Sequence, residues 1–421
     1  MKSNSNFIST SKEWEYNNPN GGVEMKEHIK KELFSIIDSI NDKVIEIRHD
    51  LHAHPELSGQ EEHTKYLVKG ILELEGYTIR EFDDHYGLIA NLEIDPKAPW
   101  VAIRADMDAL PITEQTEEPY RSRTEGVMHA CGHDSHTAIA LGSAIALAHE
   151  KERLPGNIRF IFQPSEESKE GGSLQMIEGG ALENIDAIFA LHAYPYLPTG
   201  QIGYKYGVMM ASADIFTIEI FGKSAHGARP HEGVDAILVS SMVVNSVNHI
   251  VSRRIDPLHP AVITMGTIEG GKAGNIICDH VIIKGTVRTI NEAIRKDIPN
   301  LMEEAIKGIC KSMGADYHFD YVYGQPELIN DHAMTDIVKG EAEKIIGPEN
   351  CIDLVDPVMG GEDFSEYLQI VPGAFFRLGT CTEEKNTCIP QHNSRFNVDD
   401  DALKYGMKIL TASAIEFLSQ E

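Results

Sequence analysis

The spacing of hydrophobic residues predicts helices and strands that alternate along most of the chain. Over residues 26–52 the apolar positions lie mostly three or four apart, which is the period of an amphipathic helix. A second helix is predicted at 61–75, because the pattern stops at Gly76, and glycine commonly ends helices. Short apolar runs predict strands at 100–104, 157–162 and 186–191, with an Ala- and Gly-rich helix at 136–150. This alternation is typical of an α/β sheet covered by helices on both faces.

The pattern changes after Tyr206, where strands become more frequent. The predicted elements are a strand at 213–221, a helix at 235–253, strands at 260–268 and 280–289, a helix at 291–314 and a strand at 316–323. Their order, βαββαβ, is that of a ferredoxin-like unit. Afterwards α/β character returns, with helices at 335–346 and 400–418 on either side of a strand at 373–378. Thr335 is predicted to cap the first of these two helices.

We therefore predict an α/β protein with a main catalytic domain, built on a mixed sheet covered by helices, and an inserted ferredoxin-like (βαββαβ) domain. The main domain is discontinuous and takes residues 26–211 and 323–421, and the inserted domain takes residues 212–322. Residues 1–25, which begin with a polar, Asn- and Ser-rich stretch, are predicted to form a flexible N-terminal extension. A chain of 421 residues is long enough for two or three such units.

Composition narrows the range of partners. The chain has 37 Lys and Arg against 65 Asp and Glu, so its net charge is −28, which disfavours binding to nucleic acid or to anionic membranes. Its apolar runs fall short of the roughly 18 residues that a membrane helix needs. Six cysteines at irregular spacing are unlike a disulfide framework, so we expect mostly reduced thiols in a cytoplasmic protein.

Groups that can bind metals follow several of the predicted strands. Ligands in an open α/β sheet bind beyond the carboxyl ends of the strands, so these groups are expected to meet at one edge. One strand leads into two aspartates, the segment 129–136 carries a thiol and three imidazoles, and later strands lead into adjacent glutamates and further histidines. The residues are Asp106, Asp108, His129, Cys131, His133, His136, Glu166, Glu167, His192 and His392.

This donor set predicts a metal centre. Its donors are too many for one four-coordinate ion and about right for two ions that share a bridging ligand. Imidazole, carboxylate and one thiolate favour Zn²⁺, with Mn²⁺, Co²⁺ and Ni²⁺ as alternatives. Of the adjacent Glu166 and Glu167, one carboxylate can bind metal while its neighbour takes a proton from water, which would make amide hydrolysis feasible near neutral pH. A structural zinc site competes with this interpretation, but the usual Cys-x-x-Cys pairs are absent from the sequence.

Taken singly, these signals are weak, and other motifs fail. A lone histidine is usually a surface or core residue, and an acidic pair such as Glu61–Glu62 is normally just solvated, so only co-location at strand ends favours a site. The stretch 266–272 resembles a phosphate-binding loop, but Ala273 stands where Ser or Thr should bind Mg²⁺. The sequence contains neither the G-x-S-x-G elbow of serine hydrolases nor the H-E-x-x-H pair of zinc proteases.

Eight short motifs, in order, resemble those of one enzyme family. They are R-H-D-L-H-A-H-P-E-L-S at 48–58, R-A-D-M-D-A-L-P-I at 104–112, M-H-A-C-G-H-D-S-H at 128–136, F-Q-P-S-E-E at 162–167, L-H-A-Y-P at 191–195, S-A-H-G-A-R-P-H at 224–231, G-G-E-D-F-S at 360–365 and P-Q-H-N at 390–393. From about Lys26 to its end, the chain is similar to the dinuclear-metal amidohydrolases. These include bacterial N-acyl-amino-acid amidohydrolases, hippurate hydrolase and plant auxin-conjugate hydrolases.

The resemblance implies a role for each candidate residue of the metal centre. Two divalent ions would be held by Cys131, as the bridging thiolate, and by His133, Glu167, His192 and His392. Glu166 would be the general base that activates water and later protonates the leaving amine. Asp108 would orient a metal ligand from behind. More distant dinuclear relatives have a histidine ligand at the position of Asp106. An aspartate at this position is usual in the hippurate-hydrolase branch.

The resemblance also implies that the inserted domain is a lid that mediates dimerisation. His226 matches the lid histidine that donates to the oxyanion, often from the partner subunit. Asn275 and Arg288 match lid positions that contact the α-carboxylate of the substrate, for which a bidentate arginine is a suitable anchor. For Arg288, an ordinary surface arginine at a sheet edge is an equal alternative. Cys278 departs from the family, since many relatives have proline there.

The expected activity is hydrolysis of an N-acyl-L-amino acid, such as an N-acetyl or N-benzoyl derivative, to a carboxylate and a free amino acid. The enzyme is expected to be a cytoplasmic homodimer or higher homo-oligomer that takes a small-molecule substrate. A dipeptidase or carboxypeptidase on the same dinuclear site is the alternative of the same class. A binding protein that keeps the fold and uses metal structurally is the alternative from another class.

Overall fold

The computed structural model describes residues 21–168 and 171–420. Its α-helices are α1 (Gly21–Ala53), α2 (Glu62–Leu74), α3 (His133–His149), α4 (Ser173–Glu178), α5 (Ala236–Arg253), α6 (Glu292–Met313), α7 (His332–Ile346), α8 (Phe364–Leu368) and α9 (Leu403–Leu418). Its strands are β1 (Thr78–Glu81), β2 (Leu88–Leu92), β3 (Trp100–Asp106), β4 (Asn157–Gln163), β5 (Ala187–Pro198), β6 (Ile202–Tyr204), β7 (Gly207–Met210), β8 (Ser212–Phe221), β9 (Ala225–His226), β10 (Ala261–Gly270), β11 (Ile276–Ile277), β12 (His280–Thr289), β13 (Asp316–Gln325), β14 (Leu328–Asn330), β15 (Cys351–Asp353) and β16 (Gly373–Cys381).

The larger sheet is mixed and is buried on both faces. Its strand order is β1-β2-β4-β3-β5-β16-β6-β15, and the central strands β4, β3, β5 and β16 run parallel. Alternate residues of one strand enter opposite cores: Ile103 packs in the cluster with α1, α3 and α9, whereas Ala102 packs in the cluster with α4 and α8. The predicted α/β architecture, with helices on both faces of a mixed sheet, is confirmed.

The smaller sheet is antiparallel and has its own hydrophobic core. Its strand order is β10-β12-β8-β13, and α5 and α6 pack against it. Phe216, Ile218 and Ile220 of β8 point into this core, while Ile215, just before them, is 42% exposed. The chain enters this sheet at β8 and leaves it at β13, and Ala213 pairs with Gln325 across these two strands. Both crossings between the sheets therefore lie side by side.

The first helix begins earlier than predicted, and the predicted cap of α7 was wrong. Helix α1 begins at Gly21, so residues 21–25 are helical, while residues 1–20 of the predicted extension lie outside the described residues. The N-cap of α7 is Asp331, whose side chain accepts the N–H of Met334 at 3.0 Å. Thr335 instead lies inside the first turn, where its hydroxyl donates to the Asp331 carbonyl. An aspartate in extended backbone directly before a helix is the stronger cap.

Two predicted boundaries near the metal-binding motifs also shift. Helix α3 begins at His133, three residues earlier than predicted, because Gly132 takes a left-handed φ of 98° that turns the chain into the helix. Strand β5 does not stop at His192 but continues to Pro198, since its backbone still pairs with β16 beyond that point. His192 thus projects from within a strand and not from a strand end.

The cysteines and the helices bear on two further expectations. Cys381 and Cys388 form a disulfide, which corrects the expectation of reduced thiols for that pair. Cys131, Cys278 and Cys310 are free and buried, and Cys351 is free and half-buried. Within residues 21–168 and 171–420, each helix is too short or too polar to cross a lipid bilayer.

Candidate metal centre

The candidate metal ligands come together at one edge of the larger sheet. Glu167 follows β4 through a short turn, and His192 projects from β5, which β3 separates from β4 in the sheet. Cys131 and His133 lie on either side of Gly132, where α3 begins. His392 lies in the segment after β16, where its backbone N–H donates to the Ala130 carbonyl at 2.8 Å. That hydrogen bond ties the last candidate ligand to the Cys131 segment.

The ligand atoms form two groups that share one sulfur. Single donor atoms of Cys131, His133 and His192 lie within 4.8 Å of one another, and the same holds for Cys131, Glu167 and His392. Cys131 Sγ is 3.5 Å from His192 Nε2, and His392 Nε2 is 3.2 Å from Glu167 Oε1. Neighbouring ligands around a tetrahedral ion with ordinary Zn–N, Zn–O and Zn–S bonds are about 3.3–3.6 Å apart. The spacing therefore fits two ions with Cys131 between them.

Two buried donor atoms support the same fit. His133 Nε2 and Glu167 Oε1 are inaccessible to solvent. His133 Nε2 has no hydrogen-bond partner among the described residues, and Glu167 Oε1 contacts His392 Nε2, itself a candidate ligand, at 3.2 Å. Buried polar atoms are nearly always satisfied, so an unpartnered imidazole nitrogen and a carboxylate oxygen facing the same space indicate an absent partner. A divalent cation is a partner to which both atoms can bind.

The charges around the site also favour a cation. Burial raises the pKa of the Cys131 thiol well above its usual value, and the nearby Glu167 carboxylate raises it further. Burial likewise raises the pKa of Glu166, with added contributions from Glu362, Asp363 and Glu167. Four carboxylates and a thiol collected in a buried space repel one another when ionised. Bound cations would reverse this by favouring the ionised forms.

Asp108 contacts two candidate ligands at once. Its Oδ1 lies 3.2 Å from His133 Nδ1, and its Oδ2 accepts the Glu167 backbone N–H at 2.9 Å and the Ser58 hydroxyl at 2.6 Å. Burial alone would raise the pKa of Asp108, but the hydrogen bonds from His133 and Ser58 outweigh it and lower the pKa. An ionised Asp108 therefore orients the His133 ring and keeps its Nε2 free.

Asp106 holds a second histidine behind the site. His136 Nδ1 lies 2.6 Å from Asp106 Oδ1, and His136 Nε2 accepts the Ala193 N–H at 2.8 Å. Arg104 Nη1 donates to the other Asp106 oxygen at 2.7 Å. Because both nitrogens of His136 are used, His136 supports the backbone next to His192 and is not available as a ligand.

Gln391 is a site residue that the sequence analysis missed. Its Nε2 donates to the Ala193 carbonyl at 3.1 Å and lies 3.0 Å from His192 Nδ1. His192 Nδ1 also lies 2.8 Å from the Ala193 carbonyl, so this nitrogen carries the proton and Nε2 is left to face Cys131. Only its place beside His392 in the P-Q-H-N motif could have drawn attention to Gln391.

A cavity of about 470 Å³ opens next to the candidate ligands. Glu166, Glu167 and Glu362 line it, together with Arg288 from β12 of the smaller sheet. Arg377 from β16 also lines it and was missed, although an arginine inside the apolar run G-A-F-F-R-L-G is a visible signal. The cavity thus combines the candidate base with two guanidinium groups.

His226 and Asn275 lie elsewhere. They occupy the small β9–β11 pair, where Ile276 pairs with His226 and the Gly227 N–H donates to the Asn275 carbonyl at 2.8 Å. Both side chains are exposed, and neither lines the cavity of their own chain. Of the three residues that the sequence analysis assigned to the inserted domain, only Arg288 reaches the cavity within one chain.

Known proteins resemble this chain along most of its length. The model of peptidase family M20/M25/M40 matches residues 102–416. An N-acyl-L-amino acid amidohydrolase of Geobacillus stearothermophilus is 42% identical over 301 residues, which are 72% of this chain and 81% of that protein. Thermostable carboxypeptidase 1 of Saccharolobus solfataricus is 37% identical over 393 residues, 92% of this chain and 98% of that protein.

A solved structure resembles this chain in both fold and sequence. The crystal structure of the Bacillus subtilis YXEP protein, described as a dinuclear metal-binding peptidase of the M20 family, superposes with a TM-score of 0.80 at 33% identity. The match covers 91% of this chain and 99% of that one. The family resemblance that the eight motifs predicted is confirmed.

Proposed function

Because the chain belongs to peptidase family M20/M25/M40, we propose that it is a metal-dependent amidohydrolase that cleaves N-acyl-L-amino acids to a carboxylate and a free amino acid. One observation carries the proposal: Glu166 lines a cavity beside Cys131, which belongs to both groups of candidate ligands. The relative from Geobacillus stearothermophilus, which is named for this activity, supports the choice of substrate class.

Cys131, His133, His192, Glu167 and His392 would hold two divalent metal ions. When bound, such ions would polarise the scissile carbonyl and lower the pKa of water. Zinc is favoured, because a thiolate and imidazoles are its preferred ligands, with Mn²⁺, Co²⁺ and Ni²⁺ as alternatives.

Glu166 is the proposed general base. Its carboxylate would take a proton from the attacking water and deliver a proton to the leaving nitrogen, so that one residue serves both halves of the reaction. Glu166 lines the cavity beside the candidate ligands, where its carboxylate can both accept and release a proton. Asp108 would act on Glu167 and His133 by fixing their positions.

Arg288 is the proposed anchor for the α-carboxylate. It lines the cavity, and its Nη1 donates to the Met359 carbonyl at 3.2 Å, which directs the guanidinium across the gap between the two sheets. His226 would stabilise the oxyanion and Asn275 would contact the carboxylate, both from a partner subunit. Their exposure on the β9–β11 pair supports this arrangement, since exposed polar groups are free to enter a second chain's cavity.

The smaller sheet with its helices is the proposed ferredoxin-like lid, residues 212–322, set into a main domain of 26–211 and 323–421. We propose that the protein is a homodimer assembled through this lid. The edge strand β10 exposes Val262 and Ile268, and α5 exposes Ile237, Leu238 and Met242. An apolar surface next to an unpaired strand edge is well suited to pairing with a second copy.

A carboxypeptidase or dipeptidase on the same site is the second candidate function. The carboxypeptidase of Saccharolobus solfataricus supports it, because that relative is 37% identical over nearly its whole length. The proposal of a non-catalytic binding protein has less support, since Glu166 and every candidate ligand lie in or beside one cavity. The four free cysteines support a cytoplasmic location, whereas the Cys381–Cys388 disulfide is of a kind more common in oxidising compartments.

A substrate screen with metal analysis tests the proposal. Purified protein loaded with Zn²⁺ or Mn²⁺ would be assayed on N-acetyl- and N-benzoyl-L-amino acids and on dipeptides, with and without a chelator. We expect two metal ions per chain, hydrolysis of the N-acyl-amino acids, and loss of activity after chelation. Faster cleavage of dipeptides would favour the second candidate, and a metal-loaded protein that hydrolyses no amide would overturn both.

A further inference from the structure

Arg377 is a buried arginine that faces the cavity without a carboxylate partner. Its side chain lies in β16, and the residue is only 6% exposed. Among the described residues, no Asp or Glu oxygen lies within salt-bridge distance of its guanidinium, and Nη2 contacts the weak acceptor Met210 Sδ at 3.0 Å. Glu362 and Glu166 attract the guanidinium only from beyond salt-bridge distance. Because burying a guanidinium without an anion in contact is costly, this arrangement indicates a further partner.

The neighbours of Arg377 direct it towards the reaction site. Arg377 is the register partner of His192 in the parallel pairing of β16 with β5, so the two side chains project from the same face of the sheet. The rings of Tyr194 and Phe375, on that same face, lie 5.4 and 5.2 Å from the guanidinium carbon. Rings in these positions hold the guanidinium by its face and leave its N–H edge for a planar acceptor such as a carboxylate.

The cavity therefore contains two guanidinium groups from different sheets. Arg288 enters from β12 and is the proposed anchor of the α-carboxylate, whereas Arg377 enters from β16 beside a candidate metal ligand. A substrate with a single carboxylate that binds Arg288 would leave the buried Arg377 without an anion in contact.

We propose that Arg377 binds a second carboxylate of the substrate, so that the enzyme prefers N-acyl-amino acids that carry two carboxylates. The inference rests on the proposed function and specifies its substrate class. The second carboxylate can lie on the acyl chain, as in succinyl or glutaryl groups, or on the amino-acid side chain, as in glutamate. Both sources present the same chemistry to Arg377, and the experiment separates them.

Matched pairs of substrates, equal in size and different in charge, test the proposal. One pair is N-acetyl-L-glutamate against N-acetyl-L-glutamine, and the other is N-succinyl-L-alanine against its terminal amide, N-succinamoyl-L-alanine. We expect wild-type kcat/KM to favour the charged member of at least one pair by about tenfold or more, the usual weight of a charge-assisted hydrogen bond. The pair that shows the preference identifies the source of the carboxylate.

Three variants identify the residue responsible. Arg377→Met should abolish the preference, mainly through KM for the charged substrate, and Arg377→Lys should retain part of it. Arg80→Met, which changes an exposed arginine on the outer strand β1, is the matched control. An equal loss for both members of each pair in Arg377→Met would overturn the proposal. Arg377 would then serve the common α-carboxylate or balance the charge of Glu166 and Glu362.

Calorimetric titration separates this inference from the proposed function. The same pairs would be titrated into metal-loaded Glu166→Gln, with and without Arg377→Met. Tighter binding of the charged member, lost with Arg377→Met, supports the second-carboxylate site even if amide hydrolysis is never observed. Hydrolysis of all four substrates with no preference in rate or binding would overturn the inference and leave the proposed function intact.

Discussion

The Glu61 carboxylate accepts the backbone N–H of Ser165 at 2.8 Å, across 104 residues of sequence. Ser165 has a left-handed φ of 58°, which is unfavourable for a residue with a side chain, and it directly precedes Glu166. Glu61 is fully buried and also accepts the Gly59 N–H at 3.0 Å. One carboxylate therefore fixes the turn that presents the proposed base.

We expect Glu61→Ala to lower kcat by about 10–100-fold with little change in KM, because small displacements of a reacting group are costly. Metal content should stay at the wild-type level. Glu61→Gln should recover most of the activity, since its amide oxygen can accept the same hydrogen bonds. Steady-state kinetics with metal analysis measures this, and Glu62→Ala, at an exposed neighbour, is the control. A kcat of Glu61→Ala within twofold of wild type would show that the turn needs no such support.

Glu166→Gln should retain both metal ions and lose about a thousandfold in kcat, the weight of a general base in such reactions. The amide cannot take the proton from water, while the candidate ligands are untouched. Metal analysis and kcat on an N-acetyl-amino acid are the measurements, with the exposed Glu117→Gln as control. Wild-type turnover in Glu166→Gln would remove the residue from its proposed role.

Cys131→Ser should lower the metal content to one ion per chain or fewer, because its sulfur belongs to both groups of ligands. A serine hydroxyl is a much poorer ligand than a thiolate. Elemental analysis after dialysis measures the effect, and Cys351→Ser, at a free cysteine on the far strand β15, is the matched control. Two tightly bound ions in Cys131→Ser would exclude the bridging role.

Mixing two inactive variants tests whether His226 acts across a dimer. Glu166→Gln and His226→Ala should each lose most activity, but their heterodimer has one cavity with both native residues if His226 is supplied by the partner. Exchange of subunits should then restore up to about a quarter of the wild-type activity per chain. No recovery after exchange, shown by mass spectrometry of tagged subunits, would place His226 in its own chain's site or outside the reaction.

The Glu416 carboxylate joins the first and last helices and should make stability depend on pH. Lys26 Nζ and Lys30 Nζ lie 2.8 and 2.7 Å from its two oxygens. Burial would raise the pKa of Glu416, but these two hydrogen bonds outweigh it and lower the pKa to about 2. A lowered pKa contributes stability above the unfolded value near 4.5, and that contribution is lost as pH falls from there towards 2.

Glu416→Gln should therefore lower the free energy of unfolding by about 1–3 kcal/mol at pH 7, after allowance for its partial exposure. The difference from wild type should shrink below pH 5. Urea unfolding between pH 4 and pH 7 measures this, with the exposed Glu349→Gln as control. A difference that does not change with pH would show that the carboxylate charge is not its source.

Local hydrophobic patterns predicted the strands and helices. Contacts between residues far apart in the sequence decided where β5 ends and what Gln391 does. The apolar runs before Asp106 and Glu166 are complete within a few residues, so their strands could be read directly. His192 was taken as a strand end because the apolar run stops there, yet pairing with β16 carries β5 further. Gln391 acquires its role only through contacts with Ala193 and His192, about 200 residues away, which no local signal encodes.

The pairing of Ala213 with Gln325 brings both connections of the smaller sheet to a single point, next to the small β7–β14 pair. A segment attached at one point can be exchanged between relatives as a unit. Such an exchange needs two neighbouring junctions and leaves the elements that hold Cys131 and Glu167 intact. The proposed roles of the smaller sheet in assembly and selectivity could in this way diverge while the hydrolytic chemistry is inherited unchanged.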